Sequence, residues 1–249
     1  MTNTPEKINN DVSVYQHERA LAFGTDAYLL SAYVKRGAGR ALELGAGSGV
    51  ISLLCAAKEK FTSCTCVEVQ RELAEICQKN TQGNVGGDKI TVVNSDMREL
   101  PAAMNESFDM VFTNPPYMRA DSGKMNIDKA NTACRHEIYG TIDDFCIAAS
   151  RLLKFGGLFY AVYRPDRLSE LLSACENANL SVKALTLVYP TVSHVPSIVL
   201  VRAKKGAAKG MKTSKPLIIY SSRDDMTDEG FTADMKYIYE NGDFDDSFR

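Results

Sequence analysis

The ten residues Phe108-Asp109-Met110-Val111-Phe112-Thr113-Asn114-Pro115-Pro116-Tyr117 constrain this chain more than any other stretch. An apolar, β-branched and aromatic run breaks at Asn114 into two prolines, so a buried strand is expected to end there in a stiff, extended turn. Neither proline donates an N–H and each fixes its φ, which leaves the carbonyls of Asn114 and Pro115 as acceptors at the strand end. Tyr117 adds a ring beside them. Such a cluster suits a planar amine: the Asn114 side-chain oxygen and a proline carbonyl accept its two N–H bonds, and Tyr117 stacks on its ring. A bare Pro-Pro pair is more often an ordinary turn. Its position after a strand, between Asn and an aromatic, favours a site.

Upstream, the strand-like Ala41-Leu42-Glu43-Leu44 runs into Gly45-Ala46-Gly47-Ser48-Gly49 and then into a helical stretch from Val50 to Lys58. A strand, a glycine turn and a helix in succession open a nucleotide-binding sheet, because glycines let a ligand touch backbone and helix N–H groups face it. The spacing departs from the dinucleotide fingerprint, with the third glycine one residue early. Glu43, just before the turn, would repel a pyrophosphate and attract a ligand that carries a cation. These two features disfavour a nicotinamide oxidoreductase. The next strand, Cys64 to Val69, brings Glu68 to about the place of a ribose-binding carboxylate, ~20 residues past the glycines. A third strand, Lys89 to Asn94, leads to Asp96, which can accept from an adenine amino group, and Met97, which can cover the ring. Asp96 alone would more often cap the segment after it. As one of three acids ending successive strands, it reads as a ligand contact.

At 249 residues and 45% hydrophobic content the chain can bury a sizeable core. No run approaches a membrane span, and the first residues lack the layout of a signal peptide, so a cytoplasmic protein is expected. Seven cysteines, mostly inside apolar runs, suit reduced core thiols; with three histidines and no paired Cys-x-x-Cys units, no metal is expected. A net charge of −2 argues against a uniformly basic nucleic-acid binder but allows a local basic patch.

Read in order, residues 1–13 are polar and expected to fray, and a helix with Thr25 or Asp26 at its N-cap turns Ala27, Leu30, Ser31 and Val34 to one side. Further helices are expected over Arg71 to Asn80, Thr141 to Leu153 and Pro165 to Asn177. Strands Leu158 to Tyr163, Val182 to Tyr189 and Ser197 to Ala203 follow, the last two as an antiparallel pair. The fold expected is α/β: a Rossmann-like, seven-stranded mixed sheet with helices on both faces, in a single domain over 1–249. An N-terminal extension covers 1–36. Residues 202–249 form a basic flap, with Lys204, Lys205, Lys209, Lys212 and Lys215, and an acidic tail in which Phe231 to Tyr239 folds back as a short helix. The flap, with Arg164 and Arg167 beside it, is a candidate phosphate contact. The loop Met118 to Ala133 reads as a lid.

Glu43-Leu44-Gly45-Ala46-Gly47-Ser48-Gly49, Glu68, Asp96-Met97 and Asn114-Pro115-Pro116-Tyr117 together resemble the class I S-adenosylmethionine-dependent methyltransferases, in their branch acting on exocyclic amines. Gln16, Phe23-Gly24-Thr25-Asp26-Ala27-Tyr28-Leu29-Leu30, Arg135-His136-Glu137 and Pro216-Leu217-Ile218-Ile219-Tyr220 narrow that resemblance to the bacterial tRNA(Val) adenine-N6 methyltransferase family, from about Val14 to Tyr239. Met118 departs from the phenylalanine often found there. The resemblance implies methyl transfer from S-adenosyl-L-methionine to the N6 amine of a tRNA adenosine, at position 37 beside the anticodon; a monomer is expected. The resemblance also implies a catalytic Asn114, Pro115, Pro116 and Tyr117. The cofactor set expected is Phe23, Asp26, Glu43, Gly45, Gly47, Gly49, Glu68, Asp96, Met97 and Asn114, and Tyr117 would stack on the base; the residues themselves add Arg135 and His136, as RNA contacts or as tethers of the lid, and Lys204 and Lys205 of the basic run as RNA contacts. The same turn serves enzymes that methylate DNA adenine N6 or a protein glutamine N5, and those remain rivals. A non-catalytic RNA-binding subunit is a third.

Overall fold

The computed structural model describes residues 4–16, 24–37, 39–116 and 140–248. Alternating apolar residues make the central strands: β1 (Glu6–Lys7) and β2 (Ser13–Val14) form a hairpin. The main sheet takes β3 (Arg40–Leu44), β4 (Ser63–Glu68), β5 (Ile90–Asn94), β6 (Phe108–Thr113), β7 (Leu153–Tyr163), β8 (Leu180–Tyr189) and β9 (Ile198–Lys205). Two short strands, β10 (Lys212–Thr213) and β11 (Leu217–Ile218), both run parallel to β8. The sheet therefore holds nine strands rather than the seven expected, in the order β10-β8-β9-β7-β6-β3-β4-β5 with β11 also on β8. The extra pair comes from the stretch expected to be a free flap. β3 to β7 are mutually parallel, and β9 enters antiparallel between β7 and β8.

Alternation along β3 splits the core in two, as period-2 side-chain geometry requires. Ala41 faces a cluster made with α1 (Thr25–Tyr33), α2 (Val50–Ala57), Cys77 of α3 (Arg71–Gln82) and α6 (Ala233–Asn241). Leu42 and Leu44 face the other cluster, made with α4 (Ile142–Leu152) and α5 (Leu168–Asn177). Helices thus cover both faces, as expected. α4 starts at a capping box in which Thr141 and Asp144 each bond the other's backbone N–H. α6 is the short helix expected near the end, and Met235, Ile238, Phe244 and Phe248 bury against the first cluster.

Three expectations change. α1 is not one-sided: every residue from Ala27 to Tyr33 is buried, because β7, β9 and α2 pack on it together. Its N-cap is Gly24, and the Asp26 carboxylate accepts from the Ala27 N–H at 2.9 Å. Residues 1–13 do not all fray, since Val12 and Val14 are buried in the hairpin. Two asparagines, Asn80 in the last turn of α3 and Asn84 just past its end, hold that hairpin as a strand partner would. Asn84 bonds the N–H and C=O of Ser13 at 2.8 and 2.7 Å, and Asn80 bonds those of Tyr15 at 2.8 and 3.0 Å. Six cysteines are described, all buried and unpaired, as core thiols should be.

Candidate active site

The carboxyl ends of the parallel strands form one edge of the sheet, where an open α/β fold places its ligands. Leu44 pairs with Thr113, so the glycine turn after β3 and Asn114 after β6 emerge side by side. The Thr113 hydroxyl donates to the Leu44 carbonyl at 2.8 Å and fixes that register. On the other side of β3, Val67 pairs with Leu44 and brings Glu68 to the same edge.

The glycine turn crosses over the end of β4. Gly45 and Ala46 donate to the Val67 carbonyl at 2.9 and 3.0 Å. Gly47 N–H donates to one Glu68 oxygen at 2.8 Å, and Gln70 N–H donates to the other at the same distance. Burial raises the Glu68 carboxyl above the ordinary range, and those two N–H donors act against the rise. Glu68 thereby braces the turn. Gly49 closes the turn at φ +81°, and a Cβ there would lie 2.6 Å from the Cys77 sulfur, so no other residue fits. A Cβ at Gly47 would meet no described atom within 4 Å, so that side of the turn can be approached. The cradle fits a nucleoside ligand.

Asn114 is tied to α1. Its Nδ2 donates to Asp26 Oδ2 at 3.0 Å, across 88 positions of sequence. Asp26, expected in the cofactor set, thus stands directly against Asn114. Tyr117, Phe23, Arg135, His136 and the lid expected over Met118 to Ala133 lie outside the described residues.

The family model of the methyltransferase small domain matches residues 6–175. The chain belongs to that family. A tRNA1(Val) (adenine(37)-N6)-methyltransferase of Dyadobacter fermentans is 26% identical over 229 residues, covering 91% of this chain and 94% of that one. A protein of the same name from Aeromonas hydrophila is 29% identical over 199 residues, 78% and 81% of the two chains. Among solved structures, a predicted O-methyltransferase of Agrobacterium tumefaciens superposes with a TM-score of 0.68 at 25% identity, over 88% of this chain and 96% of that one. The fold is that of the class I methyltransferases, as expected.

Within this methyltransferase domain, several residues of the expected set lie elsewhere. Glu43 alternates with Leu42 and Leu44 and so faces the α2 side. Fully buried, it accepts from the Ser52 N–H at 3.1 Å and from the Ser52 hydroxyl, and it caps α2 from beneath rather than meeting a ligand. Burial drives its carboxyl well above the ordinary range, with the Cys66 thiol adding to the rise and Ser52 opposing it. An acid with a raised folded value holds a proton that the unfolded chain releases, so its stabilising share is whole below the unfolded value, ~4.3, and is lost as pH rises through the folded one. Glu43→Gln should therefore gain on the wild type steadily above about pH 4.5 in urea-denaturation midpoints. Parallel pH profiles would mean that Glu43 is ionised in the fold.

Asp96 caps the turn Met97–Glu99 through the Arg98 N–H at 2.8 Å and pairs with the Arg98 guanidinium at 2.5 Å, which holds its carboxyl below the usual range. The capping role is thus realised, and a ligand amine would have to compete with Arg98. Met97 is buried against the α4 cluster rather than laid open as a cover for a ring. Lys204 and Lys205 end β9, which runs antiparallel. Lys204 lies opposite Leu158, so both sit ~15 Å down the sheet from Asn114, at the far edge. Lys205 is held there by Glu106 at 3.0 Å and by the Leu153 carbonyl at 2.8 Å. Lys209 pairs with Glu176, and Lys215 with Asp234 at 2.9 Å, so these lysines bind the chain to itself. One site contact was missed: Asn80 also donates to the Ser48 carbonyl at 2.9 Å and links the hairpin to the glycine turn. Two asparagines four residues apart, at the end of a helix and just past it, were the signal.

Proposed function

We propose that this chain transfers a methyl group from S-adenosyl-L-methionine to the N6 amine of a tRNA adenosine, at position 37 beside the anticodon. The observation that carries the reading is the juxtaposition, on neighbouring strands, of a glycine turn braced by Glu68 and an asparagine amide braced by Asp26. The whole-length likeness to a tRNA1(Val) adenine methyltransferase chooses adenine in tRNA over the other planar amines. The cofactor would lie along Gly45, Gly47 and Gly49 with its ribose at Glu68, and it supplies an electrophilic methyl carried on a sulfonium.

The chain's own residues then have a restricted task. An adenine amine is a poor nucleophile because its lone pair is spread into the ring. Acceptors at Asn114 and the proline carbonyls draw on its N–H bonds and favour a pyramidal nitrogen, which stabilises the transition state more than the ground state. Alignment does most of the rest. A base reaches such a pocket only when splayed from its stack, and Tyr117 is proposed to replace the lost stacking partner. RNA would approach over the remaining part of the same edge, beyond β6. There Arg164 and Arg167 follow β7, Arg164 in an exposed ion pair with Asp166 that a phosphate can displace and Arg167, mostly covered, in one with Glu170. The loop after β8 stands beside them, with Val192 and Val195 79% and 80% exposed although the Arg223 side chain pins Ser193 at 3.1 Å.

Incubation with labelled cofactor and separate pools of tRNA, DNA and protein, followed by digestion, tests the proposal. N6-methyladenosine from tRNA is expected; label only in DNA adenine or protein glutamine would replace the substrate, and label nowhere would leave a binding subunit. Glu68→Ala should weaken S-adenosylhomocysteine binding on the order of 10- to 100-fold in calorimetry, the worth of charged hydrogen bonds. An unchanged Kd would remove Glu68 from the cofactor site.

A further inference from the structure

We infer that Asp26 is a positioning residue that decides which end of the Asn114 amide the substrate amine meets; the inference rests on the amine-methylating reading above. An asparagine amide has two nearly isosteric orientations, and only one presents an acceptor to an incoming N–H. The other presents its own NH2, and two donors then face each other. The sequence Asn-Pro-Pro does not by itself say which of the two is taken.

The contact with α1 does. Asn114 Nδ2 lies 3.0 Å from Asp26 Oδ2. An ionised carboxylate accepts and never donates, so the NH2 end of Asn114 is drawn to α1 and the Oδ1 end is turned away from it. Asp26 is itself held in place. Its Oδ1 accepts from the Ala27 N–H at 2.9 Å in the first turn of α1, where the helix dipole favours negative charge. α1 is buried from Ala27 to Tyr33, so the body of the helix anchors the partly exposed first turn against which Asn114 is set. The Ala27 N–H and the Asn114 NH2 are both donors, and the two Asp26 oxygens answer them. A residue with one acceptor and one donor cannot.

That mismatch gives the test. Asp26→Asn keeps the shape but places an NH2 against either Ala27 or Asn114, so single-turnover methyl transfer should fall on the order of 10- to 100-fold while the cofactor Kd stays within about threefold. Asn114→Asp alone sets two carboxylates against each other and should fall at least as far. In the exchange Asp26→Asn with Asn114→Asp, both of these contacts are satisfied again. The amide at 26 accepts from Ala27 and donates to the new carboxylate, whose second oxygen faces the amine. The exchange should be at least about tenfold faster than either single variant. If the two losses simply multiply, Asp26 is only a helix cap and the inference fails.

Should Asp26→Asn not fold, Asp26→Glu against Asp26→Gln carries the same comparison at equal length, and only the carboxylate should retain most of the rate. Equal rates for the two would overturn the inference. The reading is taken on whichever planar amine the wild-type protein methylates. Wild-type protein that labels no RNA, DNA or protein refutes the proposed function and this role together, whereas wild-type transfer with uncoupled variants refutes Asp26 alone.

Discussion

Asn114→Ala is expected to lower methyl transfer on the order of 10²-fold or more while leaving cofactor affinity close to that of the wild type. The size follows from the kind of interaction lost. A preorganised acceptor aimed at an N–H that sharpens as the nitrogen becomes pyramidal acts in the transition state, and such groups act on kcat more than on binding. The geometry supports preorganisation: β6 ends beside the glycine turn, Thr113 fixes the register, and Asp26 holds the amide. Loss of fold is a weak alternative, because Asn114 is only half-buried and follows the strand rather than lying in it. Single-turnover rates and calorimetry on the same preparation separate the cases. Unchanged turnover, or cofactor affinity that falls in step with the rate, would take Asn114 out of catalysis.

How much of this was legible in the sequence depends on whether a residue acts through its neighbours in the chain or through the sheet. The Asn-Pro-Pro turn and the glycine turn are local: proline and glycine fix backbone angles wherever they stand. Alternation gave the seven long strands and their flanking helices for the same reason. Glu43 misled because closeness in sequence to the glycines says nothing of side. Period-2 geometry sends it to the face opposite Leu42 and Leu44, beneath α2, where Ser52 waits. Lys204 and Lys205 misled because a basic run carries no direction, and the antiparallel course of β9 delivers it to the wrong edge. The strand β7 begins at Leu153, not at the expected Leu158, because the pairing with β6 jumps between Phe108 and Met110 and absorbs residues 154–157, Gly156 and Gly157 among them. The Asp26 to Asn114 contact joins α1 to β6, and no local signal encodes it.

Lys60→Met should cost roughly 3–5 kcal/mol of stability, the largest loss expected from any single change outside the site. Lys60 is buried, with its side chain 2% exposed, and its ammonium donates to the carbonyls of Ser31, Ala32 and Val34 at 2.8, 2.9 and 2.6 Å. Those carbonyls lie at the C-terminal end of α1, where a helix leaves acceptors without partners and where its dipole favours a cation. Three donors meet three acceptors. Methionine keeps the length of the stem but leaves the carbonyls buried and unanswered, each at about 1–3 kcal/mol before relaxation. With a urea slope of about 2–3 kcal/mol/M, the midpoint should fall by more than about 1 M. Asp243 supplies the contrast. It stands 3.8 Å from the ammonium and is 32% exposed, so Asp243→Asn should cost less than about 1 kcal/mol. Equal midpoints for the two variants would show that charge balance, not the carbonyl cap, holds the end of α1. The consequence reaches the chemistry, because the same helix carries Asp26 at its other end. A helix loosened at Val34 holds Asn114 less firmly, so Lys60→Met measured below its unfolding transition should lose rate before it loses cofactor affinity.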